Sequence, residues 1–287
     1  MGHEYVGEVV EVGAAVTSVK PGDFVVGSFC ASCGECEICQ AGYPSRCQRA
    51  IEAGEAYVRG AQAEYLRVPF ADGTLVATPS KPDPELIPDL LAASDVLGTG
   101  WFAADAAGAA AGKTIAVVGD GAVGLGAVIG ARQLGAKRVI AMSRHEARAK
   151  LAREFGATDV VAERGEEGAA KVKELTGGYG AHGTAEAVGT EQAMQQALAS
   201  TRYGGYVGFV GVPHGGTISV DQLFGKEVHL FGGPAPVRRY LPQLIKLIFE
   251  RKIHPGKVFD LVLPIEQAAE GYAAMDQRRA TKVMLTF

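Results

Sequence analysis

The chain has 287 residues, of which 47% are hydrophobic and 21% charged, and its formal net charge at pH 7 is −4. A mildly acidic chain with dispersed Lys and Arg residues does not attract nucleic acid or an anionic membrane, so small molecules are its expected partners. The length exceeds what one hydrophobic core usually supports and therefore predicts two domains.

The amino-terminal residues, Met-Gly-His-Glu-Tyr, have neither the basic and apolar regions of a secretory signal nor the composition of a transit peptide. No apolar stretch of the chain approaches the ~20 residues that cross a bilayer. These features predict a cytoplasmic protein without a membrane span.

The first part of the chain is predicted to be a small β-rich unit. Residues 5–30 alternate apolar and polar positions around a Pro-Gly-Asp turn at 21–23. Alternation with a period of two residues predicts half-buried strands. A second strand-like run covers 63–68, and a Pro-rich stretch at 79–88 leads to a helical pattern at 90–92.

From residue 113 the pattern changes to strands, Gly-rich turns and helices in alternation. Uninterrupted apolar strands indicate burial on both faces, which is typical of parallel sheets. The predicted strands cover 114–118, 138–142, 159–162, 183–187, 205–212 and 228–231, and the predicted helices 122–134 and 146–155. This order predicts an α/β fold with a doubly wound, Rossmann-type parallel sheet. A helix at 240–250 and a strand at 282–287 are predicted to end the chain.

All five cysteines lie between Cys30 and Cys47, unlike the distributed cysteines of a disulfide framework. Cys33, Cys36, Cys39 and Cys47 follow the spacing C-x2-C-x2-C-x7-C. Four thiolates surround one Zn²⁺ tetrahedrally and leave no position for substrate, so this spacing predicts a structural zinc site. The alternative is a set of reduced thiols without a metal. Cys30 falls outside the pattern and is expected to be a small buried residue.

A second motif, G-D-G-A-V-G, follows a predicted strand and opens a helix, as the G-x-G-x-x-G fingerprint requires. Its glycines permit a tight turn and let backbone N–H groups approach a pyrophosphate at the helix N-terminus. An ordinary Gly-rich turn is the alternative, but the strand–turn–helix order favours a dinucleotide. The residues predicted to bind it are Gly119, Gly121, Ala122, Val123 and Gly124.

The residues at the end of the predicted strand 138–142, the second strand of the parallel sheet, indicate which of the two nicotinamide dinucleotides binds. An acidic residue ~20 positions beyond the fingerprint binds the ribose 2′-OH of NAD. Ser143 and Arg144 stand there instead, and Arg148 follows one turn into the next helix. A hydroxyl and a guanidinium donate hydrogen bonds to a 2′-phosphate, so NADP is favoured over NAD. The alternative interpretation is that both arginines are solvated surface residues without a role in binding.

These motifs occur in the order seen in the medium-chain, zinc-dependent alcohol dehydrogenase family, which the chain resembles over essentially its whole length. Other matching segments are Gly2-His3-Glu4, Lys20-Pro-Gly-Asp23, Gly98-Thr99-Gly100, Gly156-Ala157-Thr158 and the ending Lys282-Val-Met-Leu-Thr-Phe287. The resemblance implies a GroES-like catalytic domain at 1–96 and 236–287, a Rossmann domain at 97–235, and a homo-oligomer, either a dimer or a tetramer.

The resemblance also implies roles for four residues. His3 corresponds to the histidine that ligates a catalytic zinc, and Glu4 to the acid that approaches the metal or orders its surroundings. Asp95, four residues before Thr99, corresponds to a further zinc ligand. Thr99 is expected beside the nicotinamide. Taken alone, His3 is a polar residue near a terminus and Asp95 a helix cap or a solvated acid.

The sequence departs from the family in one respect. Relatives place another zinc-ligating Cys and a proton-relay hydroxyl several dozen residues before G-H-E, and the catalytic domain is therefore expected to be incomplete at its N-terminus. Three functions remain open: zinc-dependent hydride transfer between NADP(H) and an alcohol, aldehyde or ketone, a nucleotide-binding remnant without turnover, and a zinc-free reductase of the same superfamily. The cysteines and G-H-E argue against the last.

Overall fold

The computed structural model describes residues 1–287 and divides into two compact units, Met1–Gly98 with Pro236–Phe287, and Thr99–Ala235. The strands are β1 Val6–Glu8, β2 Phe24–Gly27, β3 Leu75–Ala77, β4 Thr114–Val118, β5 Arg138–Met142, β6 Asp159–Val161, β7 Ala181–Glu186, β8 Thr201–Phe209, β9 His229–Gly232, β10 Phe259–Pro264 and β11 Lys282–Thr286. The α-helices are α1 Glu37–Gln40, α2 Gln48–Glu52, α3 Ala71–Thr74, α4 Ile87–Ala93, α5 Val96–Ala106, α6 Ala122–Gln133, α7 Glu146–Glu154, α8 Gly165–Leu175, α9 Glu191–Ser200, α10 Val220–Lys226, α11 Val237–Phe249 and α12 Ala268–Asp276. Short 3-10 helices cover Pro44–Arg46, Pro84–Leu86, Pro255–Val258 and Ile265–Gln267. No helix combines the length and the apolar character that crossing a bilayer requires.

The first unit contains two small sheets. Strands β1, β2 and β3 form an antiparallel sheet in that order, and β10 pairs with β11 in parallel. Two strands lie in the alternating segment 5–30, as predicted. The predicted strand at 63–68 is wrong, because this segment forms bends and pairs with no strand. Its Leu66 and Val68 pack against the core around Val25, so the alternation there reflects one-sided burial alone.

The second unit is a parallel sheet of six strands in the order β6-β5-β4-β7-β8-β9, which confirms the doubly wound Rossmann-type fold. The central strand β4 is fully buried at Ile115, Ala116 and Val117, as its apolar sequence predicts. Chain order reverses on either side of β4, since β5 lies on one side and β7 on the other. In such sheets ligands bind outside the carboxyl ends of the strands at this switch point. The G-D-G-A-V-G segment follows β4 there.

Helices α5 and α6 approach so closely in the second unit that their contact accepts only glycine. A Cβ on Gly100 would lie 2.3 Å from the backbone nitrogen of Ala127, and a Cβ on Gly130 would lie 2.8 Å from Cα of Trp101. Backbone atoms of a packed helix do not yield as a flexible side chain does. The small residues of α6 therefore have a packing role that its weakly amphipathic sequence does not reveal.

Gly100→Ala is accordingly expected to lower the free energy of unfolding by about 1–3 kcal/mol, because the added methyl group must displace the α6 backbone. Gly225→Ala is the matched control: Gly225 lies in α10 with nothing within 4 Å of its added Cβ. That change is expected to be neutral or to stabilise by up to about 1 kcal/mol. Urea unfolding of both variants measures the difference, and equal destabilisation would contradict the close approach.

Candidate functional site

Four cysteines converge in the first unit, although only Cys39 lies within a helix and the other three lie in the connecting segments. The thiol sulfurs of Cys33, Cys36, Cys39 and Cys47 all lie within 4.8 Å of one another. Sγ of Cys36 is 3.4 Å from Sγ of Cys39 and 3.9 Å from Sγ of Cys47. Hydrogen bonds from backbone N–H groups, of which that of Cys39 has the largest effect, lower the pKa of Cys36 to about 6. Four thiol ligands at these separations, with N–H groups aimed at the sulfurs, fit a tetrahedral Zn²⁺ site.

Cys30 is buried outside this cluster, as expected. It is 1% exposed and forms an isolated β-bridge with Tyr57. Burial raises the pKa of its thiol to about 12. A buried, protonated thiol behaves as a small apolar residue and not as a metal ligand.

The turn at α3 supports the start of the cysteine segment. Gly73 lies so close that a Cβ there would be 2.0 Å from the carbonyl oxygen of Ser32. The preceding residue, Asp72, accepts hydrogen bonds from the backbone N–H groups of Thr17 at 3.0 Å and Ser18 at 2.8 Å, and from both hydroxyls. These bonds, first that of the Ser18 hydroxyl, hold the pKa of Asp72 at about 2.

We expect Asp72→Asn to destabilise the first unit at pH 7 and to have a smaller effect in acid. The folded pKa of about 2 lies below the ~3.9 of an unfolded Asp, so the carboxylate stabilises the fold fully above about pH 4. This contribution is lost as the pH falls through 2. Denaturant unfolding at several pH values measures the difference, with the exposed Asp221→Asn as control. A difference that is independent of pH would contradict this account.

A second cluster of possible metal ligands joins the amino terminus to the segment before α5. Nε2 of His3 lies 2.9 Å from Oδ2 of Asp95, and the ligand atoms of His3, Glu4 and Asp95 all lie within 4.8 Å of one another. The hydrogen bond to Asp95 raises the pKa of His3. One imidazole and two carboxylates are ligands that Zn²⁺ accepts, and three protein ligands leave a coordination position open. The residues present therefore fit a catalytic type of zinc site.

Lys282 belongs to the same cluster and was missed by the sequence analysis as a site residue. Its Nζ donates to Oε1 of Glu4 at 2.7 Å, and the two side chains are only 16% and 22% exposed. Burial raises the pKa of Glu4, and the charge of Lys282 opposes that shift. The only sequence signal was its position at the start of the ending Lys282-Val-Met-Leu-Thr-Phe287. Lys282 thus engages one carboxylate oxygen of Glu4 and holds this side chain in place, while Glu4 still has a second oxygen to offer a metal ion.

His3 and Glu4 also line an open cavity of about 1490 Å³ in the first unit. Its walls include mainly apolar side chains such as Val6, Leu91 and Leu285. Thr99, in the second unit, is 8% exposed on α5.

The fingerprint turn has the geometry of a phosphate cradle. Gly119 has φ +116°, and a Cβ on Gly124 would lie 2.0 Å from the carbonyl oxygen of Gly119, so both positions require glycine. Gly121 faces open space, with no atom within 4 Å of an added Cβ. It caps α6 without a side-chain hydrogen bond, and the first N–H groups of a helix have no partner within it. A pyrophosphate fits this position.

Two of the residues predicted to bind the 2′ group, Ser143 and Arg148, lie beside this turn. Ser143 is buried, and its hydroxyl donates to Oδ2 of Asp120 at 2.8 Å. Nη1 of Arg148 lies 3.3 Å from Oδ1 of the same carboxylate. Arg144 is exposed. The sequence analysis missed Asp120, whose one signal was its position between two glycines of the fingerprint.

Comparisons with known proteins agree with this geometry. The family model "Alcohol dehydrogenase GroES-like domain" matches residues 1–80, and "Zinc-binding dehydrogenase" matches residues 122–250. Zinc-type alcohol dehydrogenase B of Aspergillus flavus is 36% identical over 99% of this chain and 68% of its own length. A probable zinc-binding alcohol dehydrogenase of Mycobacterium tuberculosis is 36% identical over 97% of this chain and 71% of its own. The solved alcohol dehydrogenase TADH from Thermus sp. ATN1 superposes with a TM-score of 0.87 at 31% identity, over 100% of this chain and 83% of its own.

Proposed function

Because this chain belongs to the GroES-like, zinc-binding alcohol dehydrogenase family, we propose that it transfers a hydride between NADP(H) and a small alcohol, aldehyde or ketone. Membership makes it an oxidoreductase with a small-molecule substrate, and supports Zn²⁺ and a nucleotide as its cofactors. The preference for NADP and the substrate class are the proposed part. We further propose residues 1–96 with 236–287 as the catalytic domain, residues 97–235 as the dinucleotide-binding domain, and a dimer or tetramer as the working assembly.

The observation that carries the proposal is the convergence of His3, Glu4 and Asp95 from positions 92 residues apart. These three side chains would hold a zinc ion whose Lewis acidity would lower the pKa of an alcohol substrate. Imidazole ligates in its neutral form, so Nε2 of His3 must release the proton that it shares with Asp95. Lys282 holds Glu4 in place and balances part of the negative charge of the two carboxylates.

The four cysteines have a separate role in this proposal. Cys33, Cys36, Cys39 and Cys47 hold a structural zinc whose four positions are all filled by protein, so no substrate reaches it. Their function is to fix a segment whose helices, α1, α2 and the 3-10 helix Pro44–Arg46, are no longer than five residues. The hydride chemistry does not involve them.

The nucleotide site is proposed to hold the cofactor at two points. The backbone N–H groups of Ala122, Val123 and Gly124 bind the pyrophosphate at the start of α6. Arg144 and Arg148 attract the 2′-phosphate of NADP by charge. Thr99 is proposed beside the nicotinamide ring, as the family resemblance implies.

The proposal is tested by zinc content, nucleotide affinity and turnover measured on one preparation of the full chain. We expect two zinc ions per chain by elemental analysis, tighter binding of NADP than of NAD by calorimetry, and oxidation or reduction of the nicotinamide with members of an alcohol and carbonyl panel. One zinc ion with nucleotide binding but no turnover would instead identify a nucleotide-binding remnant. No zinc at all would exclude both proposed metal sites.

A further inference from the structure

The acid inside the glycine fingerprint, Asp120, lies where the 2′ group of the cofactor is expected. In sheets of this kind the residue at the end of the second strand meets the adenosine ribose. That residue is Ser143, directly after β5, and its hydroxyl donates to Oδ2 of Asp120 at 2.8 Å. A carboxylate therefore reaches the ribose position from the fingerprint turn, although none is present at the end of the strand.

Asp120 also neutralises one of the two cations assigned to the 2′-phosphate. Nη1 of Arg148 lies 3.3 Å from Oδ1 of Asp120, and the two side chains are 18% and 15% exposed. This pair is shielded from solvent more than an ordinary surface ion pair, so the charges act on each other strongly. Arg144 is exposed and not bonded to Asp120. It is therefore the cation that remains uncompensated.

NAD and NADP are expected to interact differently with the carboxylate of Asp120. The ribose of NAD offers a 2′-OH that donates a hydrogen bond to a carboxylate, as the acidic residue does in NAD-binding sheets. A 2′-phosphate has no such donor when ionised and carries about −1.5 to −2 charges at neutral pH. It must therefore approach the carboxylate of Asp120 against electrostatic repulsion, or displace it from Arg148.

We propose that Asp120 tunes cofactor specificity in this protein: its carboxylate accepts a hydrogen bond from the 2′-OH of NAD and repels the 2′-phosphate of NADP, which limits the NADP preference that Arg144 and Arg148 provide. This inference rests on the proposed nucleotide site. It assigns specificity to a residue of the fingerprint turn itself, where position along the sequence alone suggests only backbone contacts with a pyrophosphate.

The test uses two ligands that differ only in the 2′-phosphate, adenosine 2′,5′-bisphosphate and adenosine 5′-monophosphate, with the full chain in calorimetry. We expect Asp120→Asn to tighten binding of the bisphosphate by about tenfold, because a partly buried unit negative charge is removed near the phosphate. Binding of the monophosphate is expected to change less than about twofold, since the Asn carbonyl still accepts a hydrogen bond from the 2′-OH. Asp120→Ala, which removes the charge and the acceptor together, is expected to shift the ratio of the two affinities in the same direction.

Glu146→Gln is the matched control. Glu146 is an exposed acid at the start of α7, between Arg144 and Arg148 in sequence, so its replacement removes one negative charge from the same neighbourhood without touching Ser143. We expect its affinity ratio to match the wild type. A shift in both Asp120 variants but not in Glu146→Gln supports the proposal. If both ligands bind but the ratio of their affinities is unchanged in the Asp120 variants, the role of Asp120 is overturned while the proposed nucleotide site is retained. Equal weakening of both ligands in the variants would show a structural role only, which also overturns it. If neither ligand binds to the wild type, the proposed nucleotide site itself is wrong.

Discussion

Cys47→Ser is expected to remove one equivalent of zinc per chain and to lower the free energy of unfolding by several kcal/mol. Cys47 is 1% exposed, its Sγ accepts the N–H of Cys33 at 3.3 Å, and it caps α2 through the N–H of Ala50 at 3.4 Å. Helices as short as α1 and α2 are not stable alone. Their segment therefore depends on the metal, and zinc contributes ~10–16 kcal/mol of folding free energy to zinc-finger peptides.

The matched control is Cys30→Ser, a change of the same chemistry at a buried cysteine outside the cluster. We expect this variant to keep its full zinc content and to lose only about 1–3 kcal/mol, the cost of burying a hydroxyl without a designed partner. Elemental analysis and urea unfolding, each with and without a chelator, separate the two variants. Wild-type zinc content in Cys47→Ser would show that the four thiols do not share a metal ion.

The parallel sheet was predictable because burial on both faces produces a signal within each strand. Apart from their first residues, Thr114 and Arg138, strands β4 and β5 are apolar, and the structure gives them the predicted bounds. The wrong prediction of a strand at 63–68 shows the limit of predicting strands from a local hydrophobic pattern. Alternation reports that one face of a segment is buried, but pairing requires a second strand, and no local pattern reveals whether that partner exists.

The candidate site residues were likewise predictable only where they lie close together in the sequence or match the family motifs. The four cysteines lie within fifteen positions, so their spacing alone predicts a cluster. Asp95 lies 92 residues from His3, and only the family resemblance paired them. Asp120 and Lys282 were not paired with their partners by either argument, since Asp120 is 23 residues from Ser143 and Lys282 is 278 from Glu4. Side-chain contacts at such separations leave no periodicity in the sequence and are found only in the structure.

His3→Ala is expected to remove the second zinc ion and to reduce turnover by at least about 100-fold, since even the loss of a group that only supports a metal ligand costs ~10–100-fold. Its imidazole is the only nitrogen ligand among the three residues His3, Glu4 and Asp95, and one oxygen of Glu4 is already bound to Lys282. The side chain of His3 is 50% exposed but bonded to Asp95, so its truncation is expected to lower the free energy of unfolding by about 1–2 kcal/mol. The loss of activity would then arise from the metal and not from unfolding.

The control for this variant is His254→Gln. His254 is 48% exposed, lies 3.4 Å from a carboxylate oxygen of Asp89, and belongs to neither ligand cluster. We expect it to keep two zinc ions and the wild-type turnover, whereas His3→Ala keeps one zinc ion and binds the nucleotide as before, because the fingerprint turn lies in the other unit. Two zinc ions and undiminished turnover in His3→Ala would show that His3, Glu4 and Asp95 do not form the catalytic centre. If the wild type itself holds one zinc ion and His3→Ala holds the same, the ion pair of Glu4 with Lys282 has replaced the metal, and the chain is a nucleotide-binding remnant of its family.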